Sequence, residues 1–146
     1  MLVYLDLCCL KRPFDDKVQA RIRIEAEAVL ALLDADPERV SFVRSPAHDL
    51  ENQQNPLAWR AERVGLWLSD RLSAPLDEHA LGVRTTALVG LGFRGFDALH
   101  LACAEAMGAE LFVSCDDRLL STARRQGELV RVRVLDVISA AREVLA

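Results

Sequence analysis

The stretch Phe93–Leu120, FRGFDALHLACAEAMGAELFVSCDDRLL, decides the fold. Gly90, Gly92 and Gly95 punctuate the turn before it. Asp97 to Met107 then reads as a helix that Gly108 ends. Leu111 to Ser114 is a short apolar run of strand length. Asp116 opens another helix, which runs to Gln126 and stops at Gly127. Helix, buried strand and helix joined by tight turns form the repeating unit of a parallel α/β domain.

The same alternation extends outward in both directions. Leu2–Leu7 reads as a buried first strand, followed by the Pro13 break in KRPFDD. From Asp16 to about Leu33, Val18, Ile22, Ala26, Val29, Leu30 and Leu33 recur at helical spacing. Val40–Val43 predicts a second strand. Ser45 then caps a helix with Pro46 at its first position, ending near Asn55-Pro56. Residues 57–71 and 77–91 read as amphipathic helices, the second burying Leu81, Val83, Ala87 and Leu88. Val130–Leu135 is a further strand and Val137–Leu145 a last helix. The expected fold class is α/β: one domain over residues 1–146, with a central parallel sheet of four or five strands and helices on both faces.

Length and composition agree with this. The 146 residues suffice for one core, and a 51% hydrophobic content with 7 Gly and 5 Pro fits a regular, compact chain. No apolar stretch approaches a membrane span, and MLVYLDLCCLKR lacks the basic start of a signal peptide, so a cytoplasmic location without membrane contact is expected. Cys8, Cys9, Cys103 and Cys115 show no zinc-type spacing. On a strand, Cys8 and Cys9 would point to opposite faces, which makes them poor partners for one metal. They are read as reduced core residues. The net charge of −4 excludes nucleic-acid binding through bulk charge, though not at a site where bound cations reverse the local sign.

Four carboxylates stand where elements end or begin. Asp6 closes the first strand, Glu51 lies early in the helix after the second, Asp97 opens its helix, and Asp116 follows Leu111-Phe112-Val113. In a parallel sheet such positions converge on one edge. Clustered carboxylates there suit a hard divalent cation, Mg²⁺ or Mn²⁺. Asp97 and Asp116 are each also explained as helix caps, and Glu51 alone as a solvated helix residue. An acid ending an apolar first strand, as Asp6 does, has no such alternative. The implied chemistry is phosphodiester hydrolysis by water activated on a divalent metal.

These motifs resemble the PIN-domain ribonucleases. The segment FDALHLA followed by Ser114-Cys115-Asp116 is similar to that family's D-A-x-H-x-A helix and T/S-x-D turn. VYLDLCCLKRPFDD resembles its first strand and acid, SPAHDLENQQNP the segment with its second acid, and VRVRVLDVISAA its closing strand. The resemblance covers essentially the whole chain. It implies that Asp6, Glu51, Asp97 and Asp116 hold the metal, and it selects Glu51 over Asp49 and Asp116 over Asp117. It further implies an Mg²⁺- or Mn²⁺-dependent endoribonuclease, similar to the toxin of a VapC-type toxin–antitoxin pair, with RNA as substrate, a small antitoxin as partner and a homodimer as the assembly. Ser114 is expected to hydrogen-bond at the site, and Arg12, Arg94 and Arg118 to contact RNA phosphates. His100 is read as a packed core histidine rather than a ligand, and His48 and His79 as outside the site. Trp59 and Trp67 are read as core or partner-helix contacts.

Leu7 and Cys8 stand where many family members carry Ser, Thr or Asn just after the first acid. That departure would leave Asp6 without a polar helper, and it supports a second reading as a catalytically silent PIN-like module that binds RNA or protein. A phosphoacceptor receiver domain also gathers acids at strand ends. It needs a lysine late in the chain, whereas Lys11 and Lys17 are the only lysines here.

Overall fold

The computed structural model describes Met1–Ala146. Four strands, β1 (Leu2–Leu5), β2 (Ser41–Phe42), β3 (Leu111–Ser114) and β4 (Arg133–Asp136), form one all-parallel sheet in the order β2-β1-β3-β4. Eight α-helices surround it: α1 (Leu7–Lys11), α2 (Ala20–Leu33), α3 (Pro46–Gln53), α4 (Ala58–Ser69), α5 (Glu78–Gly90), α6 (Gly95–Ala106), α7 (Asp117–Gln126) and α8 (Val137–Val144). The expected α/β class is observed, with four strands.

Alternation along the short strands builds two cores. Val3 and Leu5 of β1 and Leu111 and Val113 of β3 pack with α1, α2, α4 and α8. Tyr4 and Phe112, pointing the other way, pack with α3, α5, α6 and α7. Every side chain of β3 is buried, as a central strand covered on both faces requires.

The first strand is shorter than its apolar run suggests. β1 stops at Leu5, and Leu7 already begins α1. Asp6 sits between them with extended dihedrals, its amide still bonded to the Val113 carbonyl of β3 at 2.9 Å. The chain therefore turns directly above the sheet edge. Helix α2 begins at Ala20 rather than Asp16. The Val18 amide is taken by the Asp16 side chain at 3.0 Å, a local turn that competes with helix formation, and Val18 is 80% exposed. The fourth strand likewise starts at Arg133, not Val130, because Gly127–Leu129 continues as a short 3-10 turn after α7. In α5 only Leu88 is buried; Val83 and Ala87 face solvent because the helix packs mainly against α6.

Strand order positions the site. From β1 the chain crosses to β2 on one side, then returns to β3 on the other. The carboxyl ends of β1 and β3 flank this reversal, the place where open parallel sheets form a crevice.

Candidate metal centre

Asp6 and Ser114 project from the carboxyl ends of β1 and β3. Asp6 is buried, and its carboxylate plays no part in capping α1. Instead Oδ2 accepts hydrogen bonds from Ser114 Oγ at 2.7 Å and from the Cys8 thiol at 3.3 Å. The polar helper expected to be absent after Asp6 is thus supplied by Cys8 itself together with Ser114 from the neighbouring strand. Burial, then the adjacent Cys8, push the Asp6 pKa well above its ordinary value, with His100 and Ser114 opposing.

Helix α3 delivers Glu51. Ser45 caps it as anticipated, its Oγ accepting from the His48 amide at 3.4 Å while His48 Nδ1 accepts from the Ser45 amide at 3.1 Å. His48 occupies the position that Glu or Gln fills in the usual capping box. Burial, then the charge of His100, lower its pKa to about 3, so the ring is neutral. Its Nε2–H donates to the Leu5 carbonyl at 2.6 Å, tying α3 to the end of β1. His48 is therefore a positioning element beneath the site.

Helix α6 contributes Asp97 and His100, one turn apart on adjacent parts of the same face. Arg94, not Asp97, occupies the N-cap position, so capping does not account for Asp97. Burial, then repulsion from Asp116, raise the Asp97 pKa to about 6; Glu51 adds to the repulsion, while His100 and Arg94 oppose it. Asp116 does cap its helix: Oδ1 accepts from the amides of Arg118 and Leu119 at 2.9 and 3.1 Å. Those bonds fix its orientation, and its amide is in turn held by Ser114 Oγ at 3.0 Å. Asp117 points away and pairs with Arg21 at 2.6 Å.

His100 is the residue that sequence reasoning underweighted. It is fully buried, as expected of a core histidine, but its Nε2 has no hydrogen-bond partner. That nitrogen faces the acids: 3.4 Å from Glu51 Oε1 and 4.0 Å from Asp6 Oδ1. One ligand atom from each of Asp6, Glu51 and His100 lies within 4.8 Å of the other two. Burial alone would lower the His100 pKa, but Glu51 and then Asp6 outweigh it and the net shift is upward. On the far side of the ring, Nδ1 meets Tyr4 Oη at 2.6 Å, and Tyr4 Oη meets Ser45 Oγ at 2.6 Å. With a cation bound, the ring hydrogen on Nδ1, donated to Tyr4, would leave the Nε2 lone pair free to face that cation. A buried polar nitrogen left without a partner in protein is costly, and a cation at this spot would satisfy it. Two carboxylate donors with one imidazole, in a group that Asp97 and Asp116 do not join, suit a divalent ion whose other positions water fills.

Tyr4 is buried and holds two partners at once, so Tyr4→Phe is expected to strand His100 Nδ1 and to leave Ser45 Oγ with His48 alone. The expected loss is ~1–3 kcal/mol of stability, measured as a lower midpoint in urea unfolding with an unchanged slope.

The arginines fall into two groups. Arg94 and Arg118 are exposed beside the acidic edge. Arg12 is turned inward, bonded to Asp15 at 3.1 Å and within 3.8 Å of the buried Glu25. Trp59 packs edge-on against Phe14 but stays half exposed, and Trp67 packs on Phe42 with Arg71 stacked above it.

No protein-family model and no curated protein matches the chain. Among solved structures, FitAcB from Neisseria gonorrhoeae superposes with a TM-score of 0.54 at 15% identity, covering 93% of this chain and 98% of that one. The likeness is one of fold. It agrees with the α/β arrangement described above. No helix in that arrangement is long and apolar enough to cross a membrane.

Proposed function

We propose that the chain is a divalent-metal-dependent endoribonuclease, the toxin of a toxin–antitoxin pair. The observation that carries this reading is the convergence of Asp6, Glu51 and the unpartnered His100 Nε2 at the carboxyl ends of β1 and β3, with Asp97 and Asp116 electrostatically coupled beside them. In this reading Asp6, Glu51, Asp97 and Asp116 hold Mg²⁺ or Mn²⁺, and His100 contributes to the same site. When bound, the ion would lower the pKa of water and neutralise charge developing on a phosphate. Ser114 and Cys8 fix the Asp6 carboxylate, His48 anchors α3, and Tyr4 sets the His100 ring. Arg94 and Arg118 offer phosphate contacts, and Arg12 stiffens the loop below them. An antitoxin segment and a second copy of the chain complete the assembly that the sequence resemblance implies. The thiol and hydroxyl donors to Asp6 remove the main support for a silent module.

The test is incubation of the purified chain with structured RNA and Mn²⁺, beside Asp6→Asn and a chelated control. Cleavage that persists unchanged in Asp6→Asn or without metal sinks the assignment. Ser114→Ala is expected to weaken Mn²⁺ binding about 10–100-fold, as removal of an orienting outer partner does, measured by calorimetric titration. The carboxylates remain, so catalysis should recover at saturating metal.

A further inference from the structure

We propose that Cys8, Cys9 and Cys115 form a second metal site, for one thiophilic cation of the Zn²⁺ class, which adjoins the acidic cluster through the Cys8–Asp6 contact but does not depend on the nuclease reading. The premise that separated Cys8 from Cys9 does not hold: they lie on α1, not on a strand, so their directions differ by roughly 100° rather than 180°. Cys115, just beyond β3, meets them from the other side. All three sulfurs lie within 4.8 Å of one another, and Cys9 Sγ and Cys115 Sγ are 3.6 Å apart. Metal–sulfur bonds of about 2.3 Å place thiolate sulfurs around one zinc at roughly 3.8–4.0 Å from each other. The trio brackets that spacing, so small side-chain shifts suffice.

The surroundings fit a buried anionic complex. Three thiolates around a dication carry a net charge of −1, which needs a nearby cation in the interior. Arg12 is the cation beside Cys115, its charge shared with Asp15 at 3.1 Å and Glu25 at 3.8 Å, and its buried Nε has no hydrogen-bond partner. The Cys115 amide donates to Cys8 Sγ at 3.3 Å, which ties the end of β3 to α1 at the sulfur cluster. Cys9 and Cys115 are buried, whereas Cys8 is partly exposed. Cys8 thus gives an entry path, with solvent to fill a fourth coordination position. Binding exchanges the S–H protons for metal–sulfur bonds and releases those protons to the buffer; no group is oxidised or reduced. On ligation Cys8 withdraws its thiol hydrogen from Asp6, leaving Ser114 as the donor to that carboxylate.

The test is titration of the full, reduced chain with Cd²⁺, followed by the ultraviolet thiolate-to-cadmium charge-transfer band. One equivalent per chain should saturate it, and Zn²⁺ should displace it. Cys9→Ser and Cys115→Ser should each abolish or greatly weaken the band. Cys103→Ser, in the opposite core layer, and Asp97→Asn should keep it. X-ray absorption on the Cd²⁺-loaded native chain should count three sulfur neighbours, a measurement that stands even if a serine variant folds poorly. One sulfur or none overturns the proposal, as does a band that survives Cys115→Ser or disappears in Asp97→Asn. A reduced protein that binds no Cd²⁺ and instead reoxidises to a Cys9–Cys115 disulfide also overturns it.

Discussion

Asp97→Asn is expected to reduce Mn²⁺-dependent RNA cleavage by at least ~100-fold while making the metal-free protein harder to melt at neutral pH. The first effect follows from the proposed ligand role. Removing an outer partner of a metal ligand already costs ~10–100-fold, and removing a ligand should cost more. The second follows from electrostatics. In the metal-free chain Asp97 is driven up to about 6 from an ordinary 3.8, first by burial and then by Asp116. Between those two values the unfolded chain has released its proton and the folded chain still holds it. The folded state therefore binds more protons there, and stability falls as pH rises through that window. Above it the loss is complete. Asparagine does not titrate, so the variant's advantage in Tm should be absent below about pH 4 and full above about pH 6. Each kcal/mol relieved should appear as about 2–4 °C. Lost cleavage with a raised Tm separates a functional carboxylate from a structural one. A variant with lowered Tm and lost cleavage would show that Asp97 supports the fold instead.

How much of this was legible in the sequence depended on the range of the interactions involved. The α6–β3–α7 unit was readable because its signals are local: a glycine turn, an apolar helix face, a four-residue buried strand and a capping aspartate. Ser45-Pro46 announced α3 for the same reason. The meeting of Asp6 with Glu51 was readable from their places beside strand ends, but the group they form is joined by His100 and not by Asp97 or Asp116. Other features depended on partners far along the chain. The switch from strand to helix at Asp6 is set by the Val113 carbonyl, 107 residues away in sequence, and an apolar run carries no mark of it. Burial of His100 was anticipated, but the aim of its free nitrogen was not, since Tyr4 holds the ring from behind. The cysteines are free and largely buried, as read, but Cys8 and Cys9 lie on helix α1 rather than on a strand, and the two elements give adjacent residues different directions. Overestimated burial in α5 has a further cause: helical periodicity identifies an apolar face but not whether a second neighbour covers it.

Mn²⁺ is expected to raise the Tm of the native chain, and by more as pH rises through about 6. A ligand at 100 times its Kd stabilises the folded state by about 2.7 kcal/mol, or about 5–10 °C at the sensitivity typical of a chain near 150 residues. The pH dependence arises because a cation must displace the proton held on Asp97 near pH 6, and one on Asp6, whose pKa burial also raises. Below that range protons compete and the shift shrinks. Above it the electrostatic penalty that destabilises the metal-free site becomes the attraction that binds the ion. The same repulsion among Asp6, Asp97, Asp116 and Glu51 therefore predicts opposite slopes: Tm falling with pH in chelator, and the metal-induced gain rising with pH. Asp97→Asn should flatten both. A metal-induced shift that is independent of pH and unchanged in Asp97→Asn would place the ion elsewhere. With Mg²⁺ or Mn²⁺ as the added ion, the cysteine trio would not account for the shift, since soft thiolates select against hard cations.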